Sequence, residues 1–132
     1  MLQHHFTLEE ANALLPWLEE QFARMMPRRN ELEAQQGRLI QLLRQRRSNG
    51  HSSKEEDIVA AQQQVSHLTR ELQDALRVIT DRGIVVRDLG RGLVDFPSLR
   101  EGREVYLCWV RGEEHIAYWH ETNTGFADRR PL

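Results

Sequence analysis

The stretch "IVAAQQQVSHLTRELQDALRVITDRGIVVRDL", Ile58–Leu89, decides the fold because the spacing of its apolar residues changes at Gly83. Before that glycine, apolar residues return every three or four positions, which is the stripe of a helix that packs along one face. After it, β-branched residues follow one another closely, as they do in strands. Glycine commonly ends a helix, since it adopts the left-handed conformation at little cost. We therefore predict a helix that stops at Gly83 and a β-region that starts at Ile84.

A similar helix is predicted earlier in the chain. Thr7 followed by Glu10 fits a capping box, in which the two side chains satisfy backbone donors at the helix start. Apolar residues then follow at the spacing of a coiled-coil seam: Leu15, Leu18, Phe22, Met25, Leu32, Leu39 and Leu43. The turn-forming residues Ser48–Ser53 separate the two helices, so we expect the chain to reverse there. Pro16 and Pro27 lack a backbone donor, so this helix either bends or begins again at Pro16.

Four strand-like segments follow the helices, at residues 84–89, 92–99, 104–110 and 115–121. They are rich in β-branched and aromatic residues and are separated by glycine, proline and charged residues. A hairpin turn centred on Gly112–Glu113 places Glu104 opposite Glu121. The same register pairs Val105 with His120 on the face that packs against the helices.

These patterns predict an α+β fold. A long antiparallel helical hairpin, coiled-coil-like, carries a small antiparallel β-sheet of three or four strands packed at its base. The chain is interpreted as a single domain, residues 1–132, with a helical arm at residues 1–83 and a sheet region at residues 84–132. The helices would form the long part of the molecule, and the sheet would cover the apolar patch at their base.

Composition excludes several classes of function. The formal net charge is −2 and both signs are spread along the chain, so nucleic-acid binding is not expected. The single cysteine, Cys108, excludes an internal disulfide and a multi-cysteine zinc site, and its strand position is typical of a small buried residue. The start of the chain has no signal-peptide pattern, and no apolar run is long enough to span a membrane. We therefore expect a soluble cytoplasmic protein.

One candidate site emerges from the predicted hairpin. Like charges at Glu104 and Glu121 would repel, so the pair calls for a cation, a shared proton or nearby arginines. Together with Asp95 and His120, these carboxylates form a ligand set that suits Zn, Mn or Fe. Against this hypothesis, His120 and Glu121 are adjacent on a strand and point to opposite faces. A hydrogen-bonded histidine at the edge of the core is the alternative interpretation.

Both ends of the sequence resemble a known family. The segments "FTLEEANALLP" and "GIVVRDLGRGLVDFPSLREGREVYLCWVRGEEHIAYWHETNTGFADRRPL" are similar to the bacterial domain-of-unknown-function family 2203. The matching motif positions are Glu10, Asn12, Pro16, Asp95, Pro97, Glu104, Trp109, Trp119, His120, Glu121, Phe126 and Arg129. The resemblance implies a small cytoplasmic protein in which these polar residues meet around one pocket, and it names no reaction. Supporting positions for the candidate site would be Glu10, Asn12, Arg103, Trp109, Trp119 and Arg129.

Two functions are compatible with these features. The first is a non-enzymatic scaffold or protein-interaction module that forms a homodimer through its helices, because a two-helix arm buries only one apolar stripe. The second is a metal- or small-molecule-binding protein, including a metal-assisted hydrolase, that uses Asp95, Glu104, His120 and Glu121 near the base of the helices. The residues do not decide whether the protein is an enzyme.

Overall fold

The computed structural model describes residues 4–49 and 55–132 of the 132-residue chain. The helices are α1 (Leu8–Ala13), α2 (Leu15–Asn49) and α3 (Glu55–Thr80). The strands are β1 (Val85–Asp88), β2 (Leu93–Arg100), β3 (Arg103–Val110), β4 (Tyr118–Glu121) and β5 (Arg130–Pro131), with a 3₁₀ turn at Phe126–Asp128. The predicted α+β fold is confirmed. Residues 50–53 of the predicted reversal lie outside the described residues, and α2 continues through the two residues before them.

The start of α1 is fixed by the predicted capping box. The Thr7 hydroxyl accepts a hydrogen bond from the Glu10 N–H at 3.0 Å, and the Glu10 carboxylate accepts from the Thr7 N–H at 2.9 Å. Hydrogen bonding by Thr7, first of all by its backbone N–H, lowers the pKa of the Glu10 carboxyl. The helix ends after six residues, and α2 begins at Leu15. Pro16 therefore lies in the first turn of α2, where a backbone N–H would have no hydrogen-bond partner within the helix, so its absence costs little. Pro27 lies inside α2 and does not end it.

The chain forms two compact units, and the first carries the sheet. It comprises the described residues up to Ala23 together with Leu76–Leu132. Its sheet is an antiparallel meander in which β1 to β5 lie side by side in chain order. The fifth strand exceeds the predicted number because two residues, Arg130 and Pro131, return to pair with β4.

The second unit is the outer part of the helical hairpin, Arg24–Ala75. Part of its seam is buried, through Met25, Ile58, Ala61, Leu68 and Leu72. The other seam positions are only half-buried, namely Leu32, Leu39, Leu43 and Val65. An ion pair between Arg28 and Glu71, at 2.7 Å, links the two helices and lowers the pKa of the Glu71 carboxyl. This unit therefore buries one stripe along each helix and leaves the flanks exposed.

One face of the sheet packs against the chain that leads into α1. The rings of Phe6 and Phe96 meet edge to face, with centroids 5.3 Å apart. The Phe6 N–H donates to the Pro97 carbonyl at 2.7 Å, and the Ser98 hydroxyl donates to the Phe6 carbonyl at 2.6 Å. Because residues two apart share a face, Phe96 and Ser98 lie on the same side of β2. The residues before α1 therefore form part of the core.

The predicted register of the β3–β4 hairpin is wrong by one residue. Glu121 lies opposite Val105, and His120 lies opposite Tyr106. The connection is longer than a tight turn, since β3 ends at Val110 and β4 begins only at Tyr118. A slip of one residue moves every side chain of a strand to the other face. Glu104 therefore does not face Glu121, and His120 leaves the face that carries Val105.

Within the described part of the chain, no helix is both long and apolar enough to cross a membrane.

Candidate functional site

Three neighbouring strands each place one potential ligand side chain on the same face of the sheet. Asp95 of β2 lies opposite Cys108 of β3, and His120 of β4 lies opposite Tyr106. Paired residues share a face, as do residues two apart on one strand, so Asp95, Cys108 and His120 point to the same side. One ligand atom from each residue lies within 4.8 Å of the other two. We call Asp95, Cys108 and His120 the buried cluster.

Asp95 and His120 of the buried cluster each make two hydrogen bonds, one through each polar atom of the side chain. The imidazole Nε2 of His120 lies 2.9 Å from Asp95 Oδ1. The other carboxylate oxygen, Oδ2, accepts from Arg87 Nε at 2.9 Å. On the far side of the imidazole, Nδ1 lies 2.8 Å from the Glu121 carbonyl oxygen. The positions of both side chains are therefore fixed by groups on three strands.

The partners of His120 determine where its protons lie. A carbonyl oxygen only accepts, so the contact with Glu121 requires a proton on Nδ1. Nε2 then faces the Oδ1 atom of Asp95, and an ionised carboxylate also only accepts. A lone pair facing a carboxylate oxygen at 2.9 Å would be repulsive, so a positive centre lies between them. That centre is either a metal ion or a proton carried by the imidazole or by the Asp95 carboxyl group.

Burial makes the electrostatics of the cluster strong. The exposed fraction is 2% for Asp95, 1% for His120 and 0% for Cys108. Burial opposes the charge of Arg87, but the hydrogen bond and the negative charge of Asp95 outweigh it and raise the pKa of the guanidinium. Burial also raises the pKa of the Cys108 thiol to about 12, with a further contribution from Asp95 and partial opposition from Arg129. Without a metal, the thiol is therefore neutral at physiological pH.

Arginines and aromatic rings surround the buried cluster. Arg87 lies over the ring of Tyr106, with its guanidinium carbon 5.0 Å from the ring centroid. Arg129 lies over Tyr118 and Phe126, at 4.2 and 4.1 Å. The charge of Arg129 is balanced by Glu113, whose carboxylate oxygen is 3.0 Å away. Cation–π contacts of this kind restrict long side chains that would otherwise be mobile.

The structure brings Asp95 and His120 into contact and places the two predicted glutamates elsewhere. Glu104 accepts from the His5 imidazole at 2.9 Å, and its side chain is 52% exposed. Glu121 pairs with Arg103 at 2.6 Å through its carboxylate, and only its backbone carbonyl reaches the buried cluster. The ligand set nearest to His120 therefore contains one of the three predicted carboxylates.

The supporting positions have separate roles. Glu10 belongs to the capping box, and Asn12 accepts the Ile116 N–H through its side-chain oxygen at 2.8 Å. The Trp109 indole N–H donates to the Glu113 carbonyl at 2.9 Å. Trp109 and Trp119 lie on the sheet face opposite the buried cluster, by the alternation of β3 and β4.

Cys108 is the candidate ligand that the sequence prediction did not include. Its burial was predicted, and the structure confirms it, but the shifted register had separated it from His120. A slip of one residue moves every side chain of a strand to the other face. The sequence did contain a relevant signal, namely the two alternating strands. With the correct register between them, this alternation would have placed Cys108 and His120 on one face.

Comparison with known proteins agrees with the resemblance seen at the two ends of the sequence. The family described as "Uncharacterized conserved protein (DUF2203)" matches residues 4–132. No curated protein and no solved structure matches the chain. Since the match covers both the helices and the sheet, the chain belongs to the DUF2203 family.

Proposed function

We propose that this protein binds a divalent transition metal through Asp95, Cys108 and His120. The observation that carries the proposal is the orientation of the His120 imidazole. Its Nδ1–H is held by the Glu121 carbonyl at 2.8 Å, which leaves Nε2 facing a carboxylate oxygen at 2.9 Å. Histidines that bind metals commonly donate their second N–H to a backbone carbonyl in this way.

The donor atoms fit the coordination chemistry of zinc. Zinc takes nitrogen and oxygen ligands at about 2.0–2.2 Å and thiolate sulfur at about 2.3 Å, so tetrahedral N and O ligands lie about 3.3 Å apart. The Nε2–Oδ1 distance of 2.9 Å would therefore open by about 0.4 Å when an ion replaces the proton between them. The third donor, the Cys108 sulfur, is within 4.8 Å of the other two and would have to lie about 3.6 Å from each of them in a tetrahedral site.

The surrounding groups suit a bound ion. Arg87 holds the second oxygen of Asp95, which orients the first oxygen toward the proposed metal position. Coordination deprotonates a thiol outright, so the ion would replace the proton that burial holds on Cys108. A thiolate ligand favours zinc over manganese among the expected ions, because manganese prefers oxygen donors.

Burial of the ligands leaves a substrate little access to the proposed ion and favours a structural role, with three of the four ligands that are typical of structural zinc. Catalytic zinc sites keep one coordination position open to water and substrate. In the buried cluster, the exposed fractions of Asp95 and His120 are 2% and 1%. The proposed ion would link β2, β3 and β4 of the sheet and stabilise the fold by a free energy that grows with the logarithm of its affinity.

The experiment is elemental analysis of untagged protein purified without chelator, followed by equilibrium dialysis against zinc. We expect about one zinc per chain in the wild type and loss of that zinc in His120→Ala. His115→Ala is the matched control, since His115 is an exposed histidine outside the buried cluster, and it should retain the ion. Circular dichroism checks that both variants fold. A wild-type protein that takes up no zinc in dialysis would identify the cluster as an ion pair bridged by a proton.

A second function, self-association through the helices, is favoured by the second unit. Four of its seam residues are only half-buried, and Ile40 and Val59 are 50% and 43% exposed. Burying such residues against a second copy is favourable at roughly 25 cal/mol per Å² of apolar surface. We propose a homodimer that acts as a non-enzymatic interaction module.

The test of self-association is sedimentation equilibrium at micromolar concentration. The wild type should sediment as a dimer, and the double variant Ile40→Gln, Val59→Gln should shift toward monomer. The matched control is Val78→Gln, which removes an equally exposed apolar side chain from the first unit. A monomeric wild type would reject this function and leave the metal proposal untouched.

A further inference from the structure

We propose that a groove on the sheet face opposite the buried cluster binds a small amphipathic carboxylic acid. The groove has a volume of about 410 Å³ and lies entirely within the first unit. Its apolar lining includes Phe6, Leu8, Leu99, Val105, Leu107 and Trp119. This volume falls within the range of small-molecule sites, which are mostly apolar with a few polar groups that fix the ligand. We call it the apolar groove.

The apolar groove exposes several large hydrophobic side chains. Leu8, Leu99 and Leu132 are 40%, 54% and 46% exposed, and all three line the groove. Exposed apolar residues scattered singly are ordinary, but a contiguous set rimmed by polar groups marks a binding site. These exposed apolar side chains therefore favour a ligand with an apolar body.

One of the groove-lining residues, Trp119, carries a buried donor without a partner among the described residues. The Trp119 Nε1–H is fully buried and meets no acceptor among the described residues. Leaving such a donor unsatisfied is unfavourable, and an acceptor oxygen that reaches it removes the penalty. The exposed Arg100 and Arg130 side chains lie over the indole ring, and Arg100 also lines the groove.

Charge complementarity identifies the head group. The guanidinium carbons of Arg100 and Arg130 are 4.5 and 5.4 Å from the centroid of the Trp119 ring. Neither arginine pairs with a carboxylate in the part of the chain that the structure describes, whereas Arg103 and His5 nearby do. Free guanidinium groups beside an N–H donor favour a planar carboxylate, which accepts from both.

The neighbouring carboxylates limit the charge of the ligand. Glu104 forms an ion pair with His5, which lines the groove. Glu121 lies two residues after Trp119 in the chain. A dianionic phosphate monoester would meet more repulsion from these groups than a singly charged carboxylate does. The ligand class is therefore a monocarboxylic acid with a short acyl chain or an aromatic body.

The experiment is a titration of the ¹⁵N-labelled protein with octanoate, followed through the tryptophan indole N–H signals. The chain has three tryptophans, and Trp119→Phe assigns the signal of interest. We expect octanoate to shift the Trp119 signal in a saturable way. The signals of Trp17 and Trp109 act as internal references, since Trp109 is already bonded to Glu113 and Trp17 lies under Arg82.

Ligand and protein variants separate the contributions of charge and apolar surface. The uncharged 1-octanol and the dianionic octyl phosphate should each bind more weakly than octanoate. Arg100→Gln should weaken octanoate by about tenfold, since a charge-assisted hydrogen bond contributes that much or more. The matched control is Arg91→Gln, which removes an arginine that also lies over an aromatic ring, at 4.4 Å from Phe126, and should leave the affinity unchanged.

Three results would overturn the proposal. The first is a Trp119 signal that does not move at millimolar octanoate. The second is equal or tighter binding of 1-octanol or octyl phosphate, which would reject the carboxylate class. The third is a Trp119 signal that shifts with protein concentration alone, which would mean that a second copy of the chain occupies the groove. None of these results bears on the metal proposal, since the groove and the buried cluster lie on opposite sheet faces.

Discussion

Replacing Cys108 with alanine is expected to reduce the loss of stability that alkaline pH causes in the metal-free protein. Burial raises the pKa of this thiol from 9.0 to about 12 in the folded state. In the unfolded chain the thiol loses its proton near its ordinary pKa of 9.0, whereas in the folded chain it keeps the proton up to a pH of about 12. The stability that the neutral thiol contributes is therefore complete below pH 9 and is lost as pH rises toward 12.

The magnitude follows from the two pKa values. Each pH unit between them changes the free energy of unfolding by about 1.4 kcal/mol, because the unfolded state holds one proton fewer. Going from pH 8 to pH 10 should therefore cost the wild type about 1.4 kcal/mol through Cys108 alone. Alanine removes the titrating group, and the cavity that it leaves costs the same at both pH values.

Urea unfolding of chelator-treated protein at pH 8 and pH 10 measures this difference. Other groups also titrate in this range, so the informative quantity is the pH-dependent loss in the wild type minus that in Cys108→Ala. We expect that quantity to be about 1 kcal/mol or more. Equal losses in the two proteins would show that Cys108 titrates as it does in the unfolded chain, and would refute the burial argument.

Two further substitutions test the contacts that hold the sheet and the first helix. Asp95→Asn leaves Arg87 and His120 without their anion and should cost about 3 kcal/mol in urea unfolding. The control Asp88→Asn, whose side chain only accepts the Arg91 N–H, should cost less than about 1 kcal/mol. Thr7→Ala removes the cap of α1 and should cost about 1 kcal/mol, measured by thermal unfolding; an unchanged melting temperature would show that the cap is dispensable.

Local patterns in the sequence were enough to predict most of the fold. The capping box at Thr7, the end of the second helix near Gly83 and the change to strands at Ile84 depend on residues that are close in the chain. Gly83 adopts a positive φ of 88°, as predicted for a glycine that ends a helix. Short-range chemistry of this kind is visible without knowledge of the tertiary structure.

The hairpin register depends on tertiary contacts and was therefore missed. The connection from Val110 to Tyr118 is held by the Asn12 side chain, which accepts the Ile116 N–H from 104 positions away in the chain. Within the connection, the Glu113 carboxylate accepts the Val110 N–H at 2.8 Å and also binds Arg129. The Glu113 N–H also donates to the Val110 carbonyl at 3.0 Å, so the turn that forms is centred on Arg111–Gly112, one residue before the predicted position.

The error in the register decided what could be inferred about the site. Asp95 and His120 were singled out because carboxylates and imidazoles bind metals, and they lie 2.9 Å apart. Cys108 was assigned to the other face because the predicted pairing of β3 with β4 was shifted by one residue. Residue types can thus suggest which kinds of side chain form a site. Which particular residues meet there depends on the strand register, and tertiary contacts determine that register.

Titration of the metal-free protein with cobalt(II) tests the metal proposal most directly. Cobalt accepts the same ligands as zinc, and a bound thiolate gives it an intense charge-transfer absorption band. We predict a band that saturates near one equivalent in the wild type, disappears on addition of zinc and is absent in Cys108→Ser. A wild type that shows no thiolate band at saturating cobalt would contradict the assignment of Asp95, Cys108 and His120 as a metal site.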